Sequence, residues 1–280
     1  MFGTLYLADL DGTLLTPDQT VSGRTRETLN ALIERGARIS YATARSLETA
    51  SAVTRGIAFR EPVIVHNGAV LADPLAKEPL SVARFSDAEK EEILSAFCAC
   101  GLFPLTYSLI GGKNRFSYLW ERCGEAQRAF IRTRTGGAAG SERAREIAAE
   151  ERILDGDVFY FACLGEERAL RPVYEALHTR YRCFYAPDIY LKAHWLEIVK
   201  RDVSKAAAAL ALKARLGAER LVCFGDAEND IPLFEAADEC YAVENAVPAL
   251  KERATGVIGS NREDSVAIKI AQLVSEEAAP

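Results

Sequence analysis

Thr4-Leu5-Tyr6-Leu7-Ala8-Asp9-Leu10-Asp11-Gly12-Thr13 opens the 280-residue chain with an apolar run that ends in two carboxylates and a glycine. Such a run, bounded by an Asp-Gly turn signal, reads as a buried strand. A strand sends alternate side chains to the same side. If the extended geometry continues past Ala8, Asp9 and Asp11 project into one small space, and Gly12 lets the chain turn away. Two like charges held together resist joint ionisation unless a cation or a shared proton relieves them. That arrangement serves a core badly and a metal or phosphoryl-transfer site well. An acidic turn closing a strand accounts for the same residues, so the flanking sequence has to separate the two readings.

Outward from that strand, strand and helix signals alternate. Ser22–Arg35 reads as an amphipathic helix capped by Ser22 and stopped by Gly36, Ala37–Ala42 as a strand, Leu47–Arg55 as a helix and Pro62–Val65 as a third strand. This alternation predicts a parallel sheet with helical crossovers. Near Leu80 the texture changes. Ser81–Phe85 reads as a strand, Ser86–Cys100 as a helix, and Phe103–Leu109 with Arg115–Trp120 as a hairpin around Ile110-Gly111-Gly112-Lys113-Asn114. Thr133–Glu151, rich in Gly, Ala, Glu and Arg, reads as a loop or exposed helix; strand Asp157–Cys163, helix Glu166–Tyr181 and strand Arg182–Tyr185 follow. Alternation then resumes with helix Ser204–Leu216, strand Arg220–Phe224, helix Ile231–Ala236, strands Cys240–Val243 and Gly256–Gly259, and helix Glu263–Val274. The expected architecture is α/β: a Rossmann-like, doubly wound parallel sheet from residues 1–80 and 190–280, interrupted by an α+β block at 81–189.

Composition sets outer bounds. Hydrophobic residues make up 49% and charged residues 26%, as in ordinary globular proteins with a sizeable core. A net charge of −6 without a long basic block argues against nucleic-acid binding. No apolar run reaches the ~18–20 residues of a membrane span, and the first residues carry neither a basic leader nor a small-residue cleavage site. A cytoplasmic protein without membrane attachment, monomeric or a small homo-oligomer, is the expectation. The seven cysteines form no Cys-x-x-Cys pair and read as reduced thiols.

In an open parallel sheet, ligands bind outside the carboxyl ends of the strands. The first strand ends in Asp9-Leu10-Asp11, the second in Thr43-Ala44-Arg45, and a later one in Gly225-Asp226-Ala227-Glu228-Asn229-Asp230. Together these tips supply carboxylates, a hydroxyl, an amide and a guanidinium to one rim. Lys205 follows Ser204, which reads as the N-cap of the Ala-rich helix. A cation there faces the positive end of the helix dipole and is mildly disfavoured; a phosphate bound at the same point reverses that sign.

With these four elements in place, the chain resembles the haloacid dehalogenase superfamily of phosphohydrolases. Asp9-Leu10-Asp11-Gly12-Thr13-Leu14 matches the first signature motif, Thr43 the second, Lys205 the third, and Gly225-Asp226-Ala227-Glu228-Asn229-Asp230 the fourth, in order. Val65-His66-Asn67-Gly68-Ala69 and the closing block resemble the Cof-type branch, whose C2-type cap is inserted where the block at 81–189 lies. Two positions depart from the pattern: Ala206 follows Lys205 where glycine is frequent, and Ile231-Pro232-Leu233 replaces a Met-containing run.

The resemblance implies a phosphatase acting on a small phosphorylated metabolite, a sugar phosphate or similar compound. It makes Asp9 the nucleophile of an aspartyl-phosphate intermediate and Asp11 the acid and base. Mg²⁺ is expected between Asp9, the Asp11 backbone carbonyl and Asp226, with Asp230 supporting. Leu10, Thr43, Ala44, Lys205 and Asn229 are expected around the phosphoryl oxygens. Arg45, Lys113, Asn114 and His194 are the candidates for substrate choice. A phosphomutase of the same fold, or a non-catalytic sensor of a phosphorylated ligand, are the alternative readings.

Overall fold

The computed structural model describes residues 3–135, 143–188 and 193–278. The chain opens with β1 (Thr4–Ala8), a tight turn at Leu10–Leu14, α1 (Gly23–Glu34), β2 (Arg38–Tyr41), α2 (Leu47–Val53), β3 (Val63–Val65), β4 (Val70–Asp73) and β5 (Glu78–Val82). It continues through α3 (Asp87–Ala99), β6 (Leu105–Ile110), β7 (Lys113–Tyr118), α4 (Glu125–Thr135), β8 (Ala144–Glu146), β9 (Asp157–Gly165), α5 (Glu167–Leu177), β10 (Arg182–Asp188) and β11 (Ala193–Val199). It closes with α6 (Lys205–Leu216), β12 (Arg220–Gly225), α7 (Ile231–Ala236), β13 (Glu239–Val243), α8 (Pro248–Lys251), β14 (Gly256–Ile258) and α9 (Ser265–Glu277). These elements form two compact units, residues 1–82 with 203–280 and residues 83–202.

In the first unit a parallel sheet runs β14-β13-β12-β1-β2. Leu5, Tyr6 and Leu7 of β1 and Leu221, Val222, Cys223 and Phe224 of β12 are fully buried. Strands covered on both faces carry such unbroken apolar runs. Helices pack as the α1/α9 and α6/α7 pairs. Ser22 caps α1 by accepting the Thr25 N–H at 2.9 Å, and Ser204 caps α6 by accepting the Ala207 N–H at 3.0 Å. The chain leaves β1 toward β2 on one side, whereas β12, β13 and β14 lie on the other. The order therefore reverses between β1 and β12, where a crevice opens in such folds.

The third strand does not extend this sheet. β3 pairs antiparallel with β4, and β4 with β5, and an isolated bridge between Ala42 and Ile64 ties β3 to the main sheet. His66 and Asn67 take φ of 51° and 55°, so the chain reverses too tightly for a helical crossover. Gly68 completes that reversal against α6: a Cβ there would lie 2.3 Å from the Ser204 carbonyl oxygen. The strand expected at Ser81–Phe85 accordingly sits at Glu78–Val82, as the third strand of this small sheet.

The second unit is a six-stranded sheet in the order β10-β11-β9-β6-β7-β8, antiparallel except for the parallel β7/β8 pair. Ile93 and Phe97 of α3 and Leu170 and Val173 of α5 pack on Val158, Phe161, Cys163 and Ile198. Phe130 and Ile131 of α4 pack on a separate set that includes Leu105, Phe116 and Leu164. The stretch Thr133–Glu151, expected as loop or exposed helix, holds the end of α4, β8 and a short helical turn, while 136–142 lie outside the described residues. β11 pairs with both β9 and β10 and keeps the second unit going to Asp202, beyond the expected boundary at 189. Among the described residues no helix is long and apolar enough to cross a membrane. All seven cysteines are free thiols.

Candidate active site

Register places the site. Ala8 lies opposite Phe224, and the Asp9 N–H donates to the Phe224 carbonyl at 2.9 Å. Asp9 and the Gly225-Asp226 turn therefore leave adjacent strand ends at the point where the strand order reverses. Asp9 is only 5% exposed. Its Oδ1 lies 2.8 Å from Lys205 Nζ, which lies 2.8 Å from Asp230 Oδ1 as well. Asp230 turns its other oxygen back to accept the Asp226 N–H at 3.1 Å and the Ala227 N–H at 3.2 Å, so it braces the loop that carries Asp226. The Thr13 hydroxyl donates to Asp226 Oδ1 at 2.8 Å, tying the first acidic loop to the last.

Gly12 is required here twice over. Its φ is +74°, and a Cβ would lie 2.2 Å from Asp226 Oδ2. The turn explained only the first of these from sequence.

Ligand oxygens of Asp9, Asp226 and Asp230 lie within 4.8 Å of one another. Burial pushes the Asp9 carboxyl up to about 8 against the pull of Lys205, with repulsion from Asp230 and Asp226 adding to it. Burial likewise raises Asp226 to about 6, with Asp230 repelling and the Thr13 hydroxyl opposing. For Lys205 burial alone would lower the value, but the Asp230 and Asp9 carboxylates outweigh it and hold the ammonium charged. One ammonium among three carboxylates would leave two surplus negative charges (three minus one) once all three are ionised. An all-oxygen set with that surplus suits a hard divalent cation. Asn229 adds a buried Oδ1 with no hydrogen-bond partner among the described residues.

Asp11 departs from the expected geometry. The extended conformation stops at Asp9, because Leu10 already begins the tight turn. The alternation that would have aimed Asp11 beside Asp9 is lost there, and Asp226 supplies the neighbouring carboxylate instead. The Asp11 side chain is 47% exposed and is gripped by Arg45, whose Nε and Nη2 donate at 2.7 and 2.6 Å. Arg45 also donates to Gln19 Oε1 at 2.8 Å, and the hydrogen bonds to Asp11 hold its guanidinium more firmly charged.

Thr43 is buried, and its Oγ1 accepts the Arg45 N–H at 3.1 Å, shaping the Thr43-Ala44-Arg45 turn. The sequence-predicted residues Asp9, Leu10, Asp11, Thr43, Ala44, Arg45, Lys205, Asp226, Asn229 and Asp230 all belong to the first unit. Lys113, Asn114 and His194 belong to the second. Gly111 and Gly112 take φ of 58° and 76°, so the β6–β7 turn needs its glycines for backbone reasons alone. His194 tilts against the Tyr185 ring at 5.6 Å, with Nε2 3.8 Å from Glu167. The segment before His194, residues 189–192, lies outside the described residues.

Sequence reasoning quoted Thr13 only as part of the first motif and missed Gln19, Asn245 and Asn261. Asn245 Nδ2 donates to the Gly12 carbonyl at 2.7 Å and Asn261 Nδ2 to the Leu15 carbonyl at 2.8 Å. Both follow strand ends, at β13 and β14, so inspecting those tips as well would have found them.

A family model described as haloacid dehalogenase-like hydrolase matches residues 6–270. The 5-amino-6-(5-phospho-D-ribitylamino)uracil phosphatase YitU of Bacillus subtilis is 25% identical, covering 94% of this chain and 94% of its own. The pyridoxal phosphate phosphatase YbhA of Escherichia coli is 28% identical, covering 92% of this chain and 94% of its own. The crystal structure of TM0651 from Thermotoga maritima superposes with a TM-score of 0.75 at 22% identity, covering 97% of each chain.

Proposed function

The chain belongs to the haloacid dehalogenase-like hydrolases, of the Cof type, and from that membership we propose that it is a phosphatase cleaving a small phosphate monoester through Asp9. The observation that carries the reading is the buried Lys205–Asp9 pair beside Asp226. A structural core gains little from three carboxylates around one ammonium. A site that must receive a cation and a phosphoryl group needs that arrangement.

In this reading an Asp9 carboxylate oxygen attacks phosphorus, the leaving oxygen takes a proton from Asp11, and a water then opens the aspartyl-phosphate. Both Asp11 oxygens accept from Arg45 and are occupied by that pairing. Protonating the leaving oxygen requires the pairing to open. Thr43, Lys205 and Asn229, with the N–H groups of Leu10 and Ala44, are assigned to the phosphoryl oxygens. Asp9, Asp226 and the Asp11 carbonyl are assigned to Mg²⁺, with Asp230 bracing them; when bound, the ion offsets the repulsion between Asp9 and the phosphate.

Two relatives are named for different small phosphate esters, which supports the substrate class without choosing a member. The inserted second unit is assigned as the cap that selects among leaving groups, with Lys113, Asn114 and His194 its candidates; Arg45 is the separate candidate on the core.

The test is phosphate release from a panel of phosphorylated sugars and cofactors, with and without Mg²⁺. Asp9→Asn, at an unchanged circular-dichroism spectrum, is expected to abolish release. Undiminished turnover in that variant sinks the nucleophile assignment.

A further inference from the structure

The reading above gives no role to Asn245 or Asn261, yet both side chains end on the turn that carries Asp9 and Asp11. That turn closes on itself through the backbone bonds Leu14 N–H to the Asp9 carbonyl at 3.3 Å and Leu15 N–H to the Leu10 carbonyl at 2.9 Å. Asn245 Nδ2 takes the Gly12 carbonyl at 2.7 Å, and Asn261 Nδ2 takes the Leu15 carbonyl at 2.8 Å. The Asn261 N–H donates to Asn245 Oδ1 at 3.0 Å and joins the two into one relay. Only one orientation of the Asn245 amide satisfies both of its partners, so its donor and acceptor ends are determined.

The same segment reaches the other acidic loop. The Val247 N–H donates to the Asp226 carbonyl at 2.8 Å. The exit of β13 therefore grips the backbone on both sides of the carboxylate cluster. The Gly12 carbonyl belongs to the peptide that leads into Thr13, and the Thr13 hydroxyl donates to Asp226 Oδ1 at 2.8 Å. Rotating that peptide pulls the hydroxyl from Asp226 and shifts the glycine against which Asp226 packs. Side-chain amides supply here the fixation that a tight turn with a positive-φ glycine lacks.

We propose that Asn245 and Asn261 are positioning residues: they hold the Asp9–Leu15 turn against the Asp226 loop, and phosphoryl transfer depends on that hold. The kinetic half of the proposal rests on the phosphatase reading; the structural half does not.

Asn245→Asp isolates the hold, because it keeps an acceptor for the Asn261 N–H and sets an oxygen where the Gly12 carbonyl needs a donor. Asn30→Asp is the matched control. Asn30 makes the same two-point bracket on the Gly56–Ala58 loop, Nδ2 to the Gly56 carbonyl and Oδ1 from the Ala58 N–H, both at 2.8 Å. Both variants are expected to lose similar thermal stability. Asn245→Asp is expected to lose about 100-fold in kcat, as an ångström-scale misplacement does, with KM changed by less than about threefold. Asn30→Asp keeps wild-type kcat. Amide exchange at Leu14 and Leu15 is expected to quicken about tenfold in Asn245→Asp only. Should that variant not fold, Asn261→Ala carries the same test. Exchange at Leu14 and Leu15 that matches the control, or a kcat that matches it, overturns the proposal. A wild-type chain that releases no phosphate from any ester instead overturns the phosphatase reading, and amide exchange then decides the proposal.

Discussion

Replacing Gly12 by alanine separates two costs that the structure puts in one residue. The first is backbone strain. Gly12 has φ of +74°, and an L-residue held in the left-handed region costs about 1–2 kcal/mol. The second is contact: the new Cβ would stand 2.2 Å from Asp226 Oδ2 and 2.7 Å from its Cγ. Non-bonded atoms do not approach so closely, so the carboxylate must withdraw by about 1 Å, and a displacement of that size at a reacting centre costs about 100-fold in rate. That factor corresponds to about 2.7 kcal/mol of transition-state stabilisation. Gly36→Ala supplies the comparison, because Gly36 has φ of +93° and nothing within 4 Å of the position a Cβ would take. Both variants should therefore lose about 1–2 kcal/mol in urea unfolding, and only Gly12→Ala should lose turnover. Phosphate release by the two variants at saturating substrate, beside their unfolding midpoints, makes the comparison. A Gly12→Ala enzyme as active as Gly36→Ala would refute the argument that Asp226 packs on that glycine for catalytic reasons.

Two more expectations follow from the buried charges. Lys205→Ala leaves Asp9 and Asp230 without the ammonium that lies 2.8 Å from each; breaking such a buried pair costs about 3–5 kcal/mol, and kcat/KM should fall with it. A wild-type unfolding midpoint in this variant would show that Lys205 is not their counter-ion. The second concerns pH. In the metal-free chain Asp9 and Asp226 sit at about 8 and about 6 against an ordinary 3.8, so between those limits the folded state binds more protons than the unfolded one. Stability should then fall as pH rises from about 4 to about 8. Excess Mg²⁺ should restore it through binding to the folded form, and a stability flat across that range would contradict the burial of these carboxylates.

Local signals carried much of the molecule. The apolar run Thr4–Ala8, the serine caps Ser22 and Ser204 and the strand Arg220–Phe224 are legible because each depends on near neighbours in the chain. The rule that ligands gather at carboxyl strand ends selected Asp9, Thr43, Asp226 and Asp230 as well, and the Ser204 cap pointed to Lys205, because those positions need only strand order and a helix start and not side-chain detail. Elements whose pairing is distant or whose turns are unusual were not legible. β11 is defined by its partners β9 and β10, and β3 leaves the main sheet because His66 and Asn67 adopt positive φ.

The amino-acid sequence alone determined the α/β class, the inserted unit and the residue types gathered at one rim, since periodicity, caps and motif order are written in the chain. Only the tertiary structure decided which of those groups face one another. The parallel pairing of β1 with β12 sets Asp9 beside Asp226, more than two hundred positions away. The turn at Leu10 breaks the alternation and hands Asp11 to Arg45 instead. Lys205 lies buried between two carboxylates, and Asn245 and Asn261 fasten the turn from the far side of the sheet order. Charges and hydrogen bonds act over a few ångströms of space, and a chain read in order contains no such distances until it is folded.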